Sequence, residues 1–297
     1  MKFVLLFLSL PAFAQEFKNL KVLPQDIGRQ ELQQIMSTWS TDLGFRCTDC
    51  HYSPTGKFDD IDFTDDRKRT KKIAREMYQM AAQINQQFFA NRSQQISCYT
   101  CHHGTSDPRR LEHILLEAYE EGGVTATIDS YRHLRKKFHG YGAYNFGPWL
   151  GLSSIAARLS SEQKYAEAVQ LHKVNLEFNP NYDGSHFSLG CWYIMGEPND
   201  EKARTHFSAA MKGNSFWTPR RIGSFASLMN EQGKPELGLK AVNLLVEIAP
   251  NNADAWFQKG RYLHSGGDMD GARQALQTAL GHKAGHKEAT KLLKQIP

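Results

Sequence analysis

The sequence predicts an all-α fold in two parts, a small domain built around two Cys-x-x-Cys-His motifs and then a tetratricopeptide-repeat helical solenoid. Three observations predict it. The motifs stand as Cys47-Thr48-Asp49-Cys50-His51 and Cys98-Tyr99-Thr100-Cys101-His102, in a chain with five cysteines. Apolar residues ahead of each motif recur at helical spacing. From about Trp149 the chain repeats with a period of about 34 residues, the tetratricopeptide length.

Cys-x-x-Cys-His is the covalent attachment pattern of haem c. Two thiols three residues apart each add to a vinyl group on one porphyrin edge, and the following histidine supplies a proximal imidazole to the iron. The first part therefore reads as a dihaem c-type cytochrome domain holding two haem c groups. Cys47, Cys50, Cys98 and Cys101 are the tethers, and His51 and His102 are the proximal ligands. Paired zinc knuckles sit roughly 15–20 residues apart, far closer than Cys50 and Cys98, which disfavours zinc.

Each motif follows a helix. Leu32, Ile35, Met36 and Trp39 place one from about Gly28 to Leu43, with Gly44 as its stop. Ile73, Met77, Met80, Ala81, Ile84 and Phe88 place another from Arg69 to about Phe89, and a polar loop, Asn91 to Gln95, leads to the second motif. Met36 and Met77 thus lie ahead of the two motifs, with Met80 one turn beyond Met77. A thioether bound to the iron raises its potential, but methionine on an apolar helix face also fills cores. Spacing leaves both roles open.

Past the turn cluster Gly104 to Pro108, a bridge is expected over residues 109–148. It holds helices at Leu111 to Tyr119, ended by Gly122-Gly123, and at Thr127 to Phe138, then a glycine and aromatic stretch, Gly140 to Gly147. The repeats fill 149–297. Leu189-Gly190 and Tyr193 with Ala203, Phe207 and Ala210 fit the repeat consensus, as do Trp256, Gly260 and Leu263 with Ala272, Leu276 and Ala279. Weaker units begin near Trp149 and Pro219, and Lys287 to Ile296 is a polar cap. Cys191, inside the second unit, reads as a small buried hydrophobe.

The bulk composition bounds partners and compartment. Hydrophobic content of 40% and charged content of 23% are those of a soluble globular protein. A net charge of +5, without a basic and aromatic run, gives no sign of nucleic acid as partner. Acidic pairs alternate with basic ones from Asp59 to Lys72, as on solvated faces. Met1-Lys2, the apolar run Phe3 to Leu10 and Ala12-Phe13-Ala14 read as a secretory signal peptide over 1–14, cut after about Ala14. No other apolar run reaches about 18 residues, so no transmembrane segment is expected in the mature chain. Because bacteria attach haem c outside the cytoplasm, a periplasmic location is expected.

The cytochrome domain, 15–108, carries a resemblance. Lys18 to Leu23, then Met36 and Leu43-Gly44-Phe45-Arg46-Cys47, are similar to the photosynthetic reaction-centre cytochrome c subunit family. So are Arg75, Met77, Met80 and Ile84-Asn85 ahead of Cys98. The likeness spans about residues 18–105. It implies a helix along each haem face, with Met36 ligating the first iron opposite His51 and Met77 the second opposite His102. Met80 is the alternative to Met77. Family members carry four haems in two pairs and this chain has one pair, so no photosynthetic partner is carried over.

Taken together, the expected function is a periplasmic one-electron carrier whose repeat groove docks a redox partner protein, with no catalytic residues. The competing reading is a dihaem peroxidase-like enzyme with one open haem site, which needs an acid–base group above that iron. No such residue stands out in the loops.

Overall fold

The computed structural model describes residues 17–296; the expected signal peptide lies outside them. All the regular elements among the described residues are helices. Along the chain they are α1 (Arg29–Leu43), α2 (Cys47–Cys50), a 3-10 turn (Phe58–Asp60), α3 (Arg69–Phe88), α4 (Cys98–His102) and α5 (Leu111–Phe138). Four pairs follow: α6 (Leu152–Ser161) with α7 (Tyr165–Phe178), α8 (Asp183–Met195) with α9 (Asp200–Gly213), α10 (Trp217–Glu231) with α11 (Pro235–Ile248), and α12 (Ala253–Ser265) with α13 (Met269–His282). The last helix is α14 (Lys287–Leu293).

The described residues form two compact units, one of residues 17–109 and 138–144, the other of 110–137 and 145–296. The stretch expected as a bridge is thus shared between them. Tyr144 belongs to the first unit because its hydroxyl donates to the Asp107 carbonyl at 3.1 Å and its ring meets Phe138 edge-on. α5 is interrupted at Gly122 and Gly123, where Gly123 has a φ of 66°. A backbone of that sign suits glycine, so the pair breaks the helix where its sequence predicts.

In the first unit, local chemistry sets each motif as a single helical turn. α1 stops at Gly44, φ 63°, with the Phe45 N–H returning to the Ser40 carbonyl at 2.9 Å. Immediately afterwards the Arg46 N–H donates to Asp49 at 2.7 Å. At the second motif the Ser97 N–H donates to the Thr100 hydroxyl at 3.0 Å. Asp49 and Thr100 hold the same place in their motifs and cap the same backbone group. The two turns are built alike.

The second unit owes its packing to small residues opposite large ones. In the second helix of three repeats, Ala203, Phe207 and Ala210, then Gly238, Val242 and Leu245, then Ala272, Leu276 and Ala279, hold equivalent buried positions. A Cβ on Gly190 would lie 2.4 Å from the Phe207 ring, and one on Gly260 would lie 2.8 Å from Leu276. These glycines let paired helices close. The first repeat departs from the pattern, because His172 and Asn175 occupy two of those core positions. They are satisfied: Asn175 donates to the Pro148 carbonyl and the Ser153 hydroxyl at 2.8 Å, and His172 meets Ser185 at 3.1 Å. Cys191 is buried, and burial raises its thiol well above its ordinary range, so it is a packing residue.

If glycine is required at that contact, Gly190→Val forces the Phe207 ring out of its place and costs about 1–3 kcal/mol through overpacking. Urea unfolding of the variant should show a lowered midpoint with an unchanged slope. An unshifted midpoint would remove the contact from the account of the repeat.

Candidate haem-binding sites

Among the described residues, the first unit buries three apolar side chains, Leu23, Ile27 and Tyr144, whereas the second buries a continuous core. A unit of this size ordinarily closes over its own hydrophobic centre. Here a cavity of about 670 Å³ takes that place, lined by the 17–23 segment, α1, the first motif and the start of α3. The volume is that of a site for a large organic ligand.

Met36, Cys47, Cys50 and His51 all line this cavity. The sequence grouped these four and the fold brings them together. Phe58 and Phe63 also line it, with the Phe63 ring 4.9 Å from that of His51. His51 Nδ1 is buried without a hydrogen-bond partner. Burial, then Lys71 and Arg75, push this imidazole down to about 4, while Asp66 pulls the other way. At neutral pH the ring is therefore uncharged, as an iron ligand must be.

Cations surround the same cavity. Lys18, Lys21, Arg29, Arg46, Lys71 and Arg75 line it, and no carboxylate does. Three of them are set by Asp66, which lies just outside. It accepts from Arg75 at 2.9 Å, from Lys71 at 3.0 Å and from the Asn19 amide at 2.8 Å, and it pairs with Lys21. Arg75 also donates to the Asn19 carbonyl at 3.0 Å, and Lys71 to those of Phe63 and Asp65 at 2.9 Å. These hydrogen bonds, Arg75 first, hold the Asp66 carboxyl far below the usual carboxylate range. A positive lining suits the two propionates of a haem. Two thiols, a neutral imidazole, a thioether on the same cavity and cations for carboxylates fit the group.

The second set is placed differently. His102 Nδ1 lies 2.9 Å from the Thr105 carbonyl. A carbonyl only accepts, so Nδ1 is the donor and Nε2 is the nitrogen left to face a metal. Thr105 is buried, and its hydroxyl lies 3.3 Å from that of Tyr144. Asn85 fixes the approach to the motif, its amide donating to the Ile96 carbonyl and accepting from the Ile96 N–H, both at 2.8 Å. Met77 and Met80 remain 40% and 44% exposed on an α3 face shared with Ile73 and Phe88. They do not line a second cavity, of about 470 Å³, which Cys98 shares with α1 and with Tyr78, Ala81, Ala82 and Asn85 of α3. Burial, then Asp42, raises the Cys98 thiol. Cys47, Cys50, Cys98 and Cys101 are all free thiols.

Residues 9–143 match the model of the photosynthetic reaction centre cytochrome C subunit family. The likeness read from the motifs is thereby borne out for this part of the chain. No curated protein matches the chain. Several solved structures of repeat proteins do. MamA 41-end from Desulfovibrio magneticus RS-1 is 19% identical, over 49% of this chain and 81% of its own, with a TM-score of 0.28. TTC0263, a thermophilic TPR protein in Thermus thermophilus, is 13% identical over 63% and 96%, with a TM-score of 0.29. YrrB, described as a TPR protein with an unusual peptide-binding site, is 14% identical over 62% and 90%, with a TM-score of 0.30. Scores this low leave the repeat assignment resting on the helix pairs described above.

The sequence did not single out Asp66, Thr105 or Tyr144, and it named Asn85 only within the family likeness. Each acts through a contact distant in sequence or through a backbone group, which leaves no local pattern.

Two outcomes check the sites. Replacing all four motif cysteines by serine removes the tethers, and limited proteolysis should then digest the first unit while the repeats persist. Equal survival of both would show that the first unit has a sufficient core of its own. Asp66→Asn should lower stability at pH 7 by roughly 1.5–3 kcal/mol, the worth of hydrogen bonds to a charged group. Because the folded carboxyl sits below its unfolded value near 3.9, that advantage is complete above about pH 4 and shrinks with further acid. Thermal melts at pH 7 and in acid should show the gap between wild type and variant narrowing; a gap that widened would reverse the assignment.

Proposed function

We propose that the chain is an exported dihaem c-type cytochrome that passes electrons one at a time and docks to a partner protein through its repeat half. The observation that carries this reading is the first cavity, where two thiols, a neutral imidazole and a thioether converge within a cationic lining. Bound haem c supplies a one-electron iron couple.

The chain's own residues do the rest. Cys47 and Cys50 fix the edge of the first porphyrin, and Cys98 and Cys101 that of the second. His51 and His102 would supply an imidazole to each iron, the latter oriented by the Thr105 carbonyl. Met36 would supply a thioether to the first haem, and Met77 to the second, with Met80 the alternative. Thioether ligation raises the potential, and a filled distal side keeps small molecules off the metal. The Phe63 ring packs edge-on against the His51 ring.

Thioether attachment supports a periplasmic location, because it takes place beyond the cytoplasmic membrane in bacteria. No helix among the described residues is long and apolar enough to cross a membrane. Four helix pairs with a terminal helix support partner docking, since such solenoids present extended concave surfaces.

Protein made with haem-attachment machinery present should exceed its polypeptide mass by two haems and show a methionine–iron charge-transfer band. The spectrum should not change with carbon monoxide or peroxide. Met36→Ala should abolish the band of one haem and Met77→Ala that of the other. A bare polypeptide mass would refute the reading, and one five-coordinate haem that turns over peroxide would replace the carrier with an enzyme.

A further inference from the structure

Straight after His102 the chain doubles back through two residues in the left-handed region, His103 with a φ of 49° and Gly104 with a φ of 83°. Glycine takes that conformation freely and histidine less readily, so the turn needs something to hold it. The return brings Thr105 onto His102 twice. The Thr105 N–H donates to the His102 carbonyl at 2.9 Å, and the Thr105 carbonyl accepts from His102 Nδ1 at 2.9 Å.

Thr105 is held in turn by its side chain. Three contacts close a circuit. The Asp107 N–H donates to the Thr105 hydroxyl at 3.3 Å, that hydroxyl lies 3.3 Å from the hydroxyl of Tyr144, and Tyr144 donates to the Asp107 carbonyl at 3.1 Å. Each hydroxyl has one proton to give. Tyr144 gives its own to the carbonyl, so Thr105 is the donor between the two hydroxyls. All three bonds therefore run the same way round and reinforce one another. At these lengths none is strong alone. Thr105 is 4% exposed and Tyr144 9%, so removing either hydroxyl leaves the other partners with little water to replace it. The Phe138 ring, 5.2 Å from that of Tyr144 and edge-on to it, keeps the tyrosine in place.

We propose that Tyr144, 39 residues beyond Thr105, is a positioning residue for the second haem. It locks Thr105 so that His102 keeps Nδ1 as the donor and Nε2 toward the iron. It touches no reacting atom. The lock grips the imidazole from the Nδ1 side and leaves the Nε2 side open. A firm acceptor at Nδ1 also makes the imidazole a stronger donor to a metal, which favours the oxidised state. His51, whose Nδ1 is buried without a partner, has no such tie and is the internal control. This inference rests on the dihaem reading above.

Exchange of the imidazole Nδ1 protons, followed by NMR on the reduced, haem-loaded full chain with isotope-labelled histidine, tests it. The signal lost from a Cys98→Ser, Cys101→Ser variant belongs to His102. Tyr144→Phe should keep both haems by mass and speed exchange at His102 roughly tenfold, the worth of one hydrogen bond, with His51 unmoved. Redox titration should show a raised potential for the haem on Cys98 and Cys101 and no change for the other. Thr105→Val breaks the ring from its other side and should give the same shifts, with nothing further in the double variant. Thr105→Ser, which keeps the hydroxyl, should retain wild-type exchange. These two Thr105 variants decide the matter if Tyr144→Phe does not fold. Two haems by mass with exchange and both potentials unmoved in Tyr144→Phe would overturn the proposal. Equal shifts at both imidazoles, as a general loosening gives, would overturn it too. Either result leaves the dihaem reading standing, whereas absence of haem from wild type would overturn both.

Discussion

The first unit depends on one constraint: it folds around space that its own apolar side chains do not fill. Leu23, Ile27 and Tyr144 are too few to hold some hundred residues together. Order there comes instead from polar ties of long reach. Asp66 gathers Lys21, Lys71 and Arg75, Asn85 pins Ile96, and Asp42 seats the second motif. Such ties fix where the walls stand, but each contributes little net free energy, since water competes for every partner. On the proposed reading, a covalently tethered porphyrin would add the apolar burial that the chain lacks, without the entropy of a free ligand.

The legible part of the protein was the part encoded locally. The two motifs, the helices before them and the glycine stop at Gly44 are short-range patterns, and they stand where spacing placed them. The break at Gly122-Gly123 was legible for the same reason. What was hidden required distant partners. Tyr144 sat in a stretch read only as glycine and aromatic, because nothing near it announces the Thr105 and Asp107 contacts. Asp66 looked like one acid in a mixed run of charge. Its meeting with residues on the 17–23 segment and on α3 turns it into a hub.

The two sites are unequal in how the chain surrounds them. At the first, thioether, imidazole and thiols share one cavity. At the second, the imidazole is oriented by a backbone carbonyl while Met77 and Met80 lie on an exposed face. A haem laid on that face would cover Ile73 and Phe88 as well, apolar groups that α3 otherwise leaves to water. α1 then serves both sites, offering Met36 to the first cavity and Asp42 to the second motif.

The repeats show the opposite economy, with small and large apolar residues closing each junction and few polar groups inside. The exceptions distinguish two junctions. Between the first and second repeats His172, Asn175 and Ser185 form a network in which each group has a partner. Between the third and fourth, Gln258 packs on Gly223 with its Oε1 buried and unpartnered. An unsatisfied buried acceptor costs about 1–3 kcal/mol, whereas a satisfied network costs little and fixes register. In a solenoid whose stability is a sum over neighbouring interfaces, that acceptor weakens the α10–α12 contact.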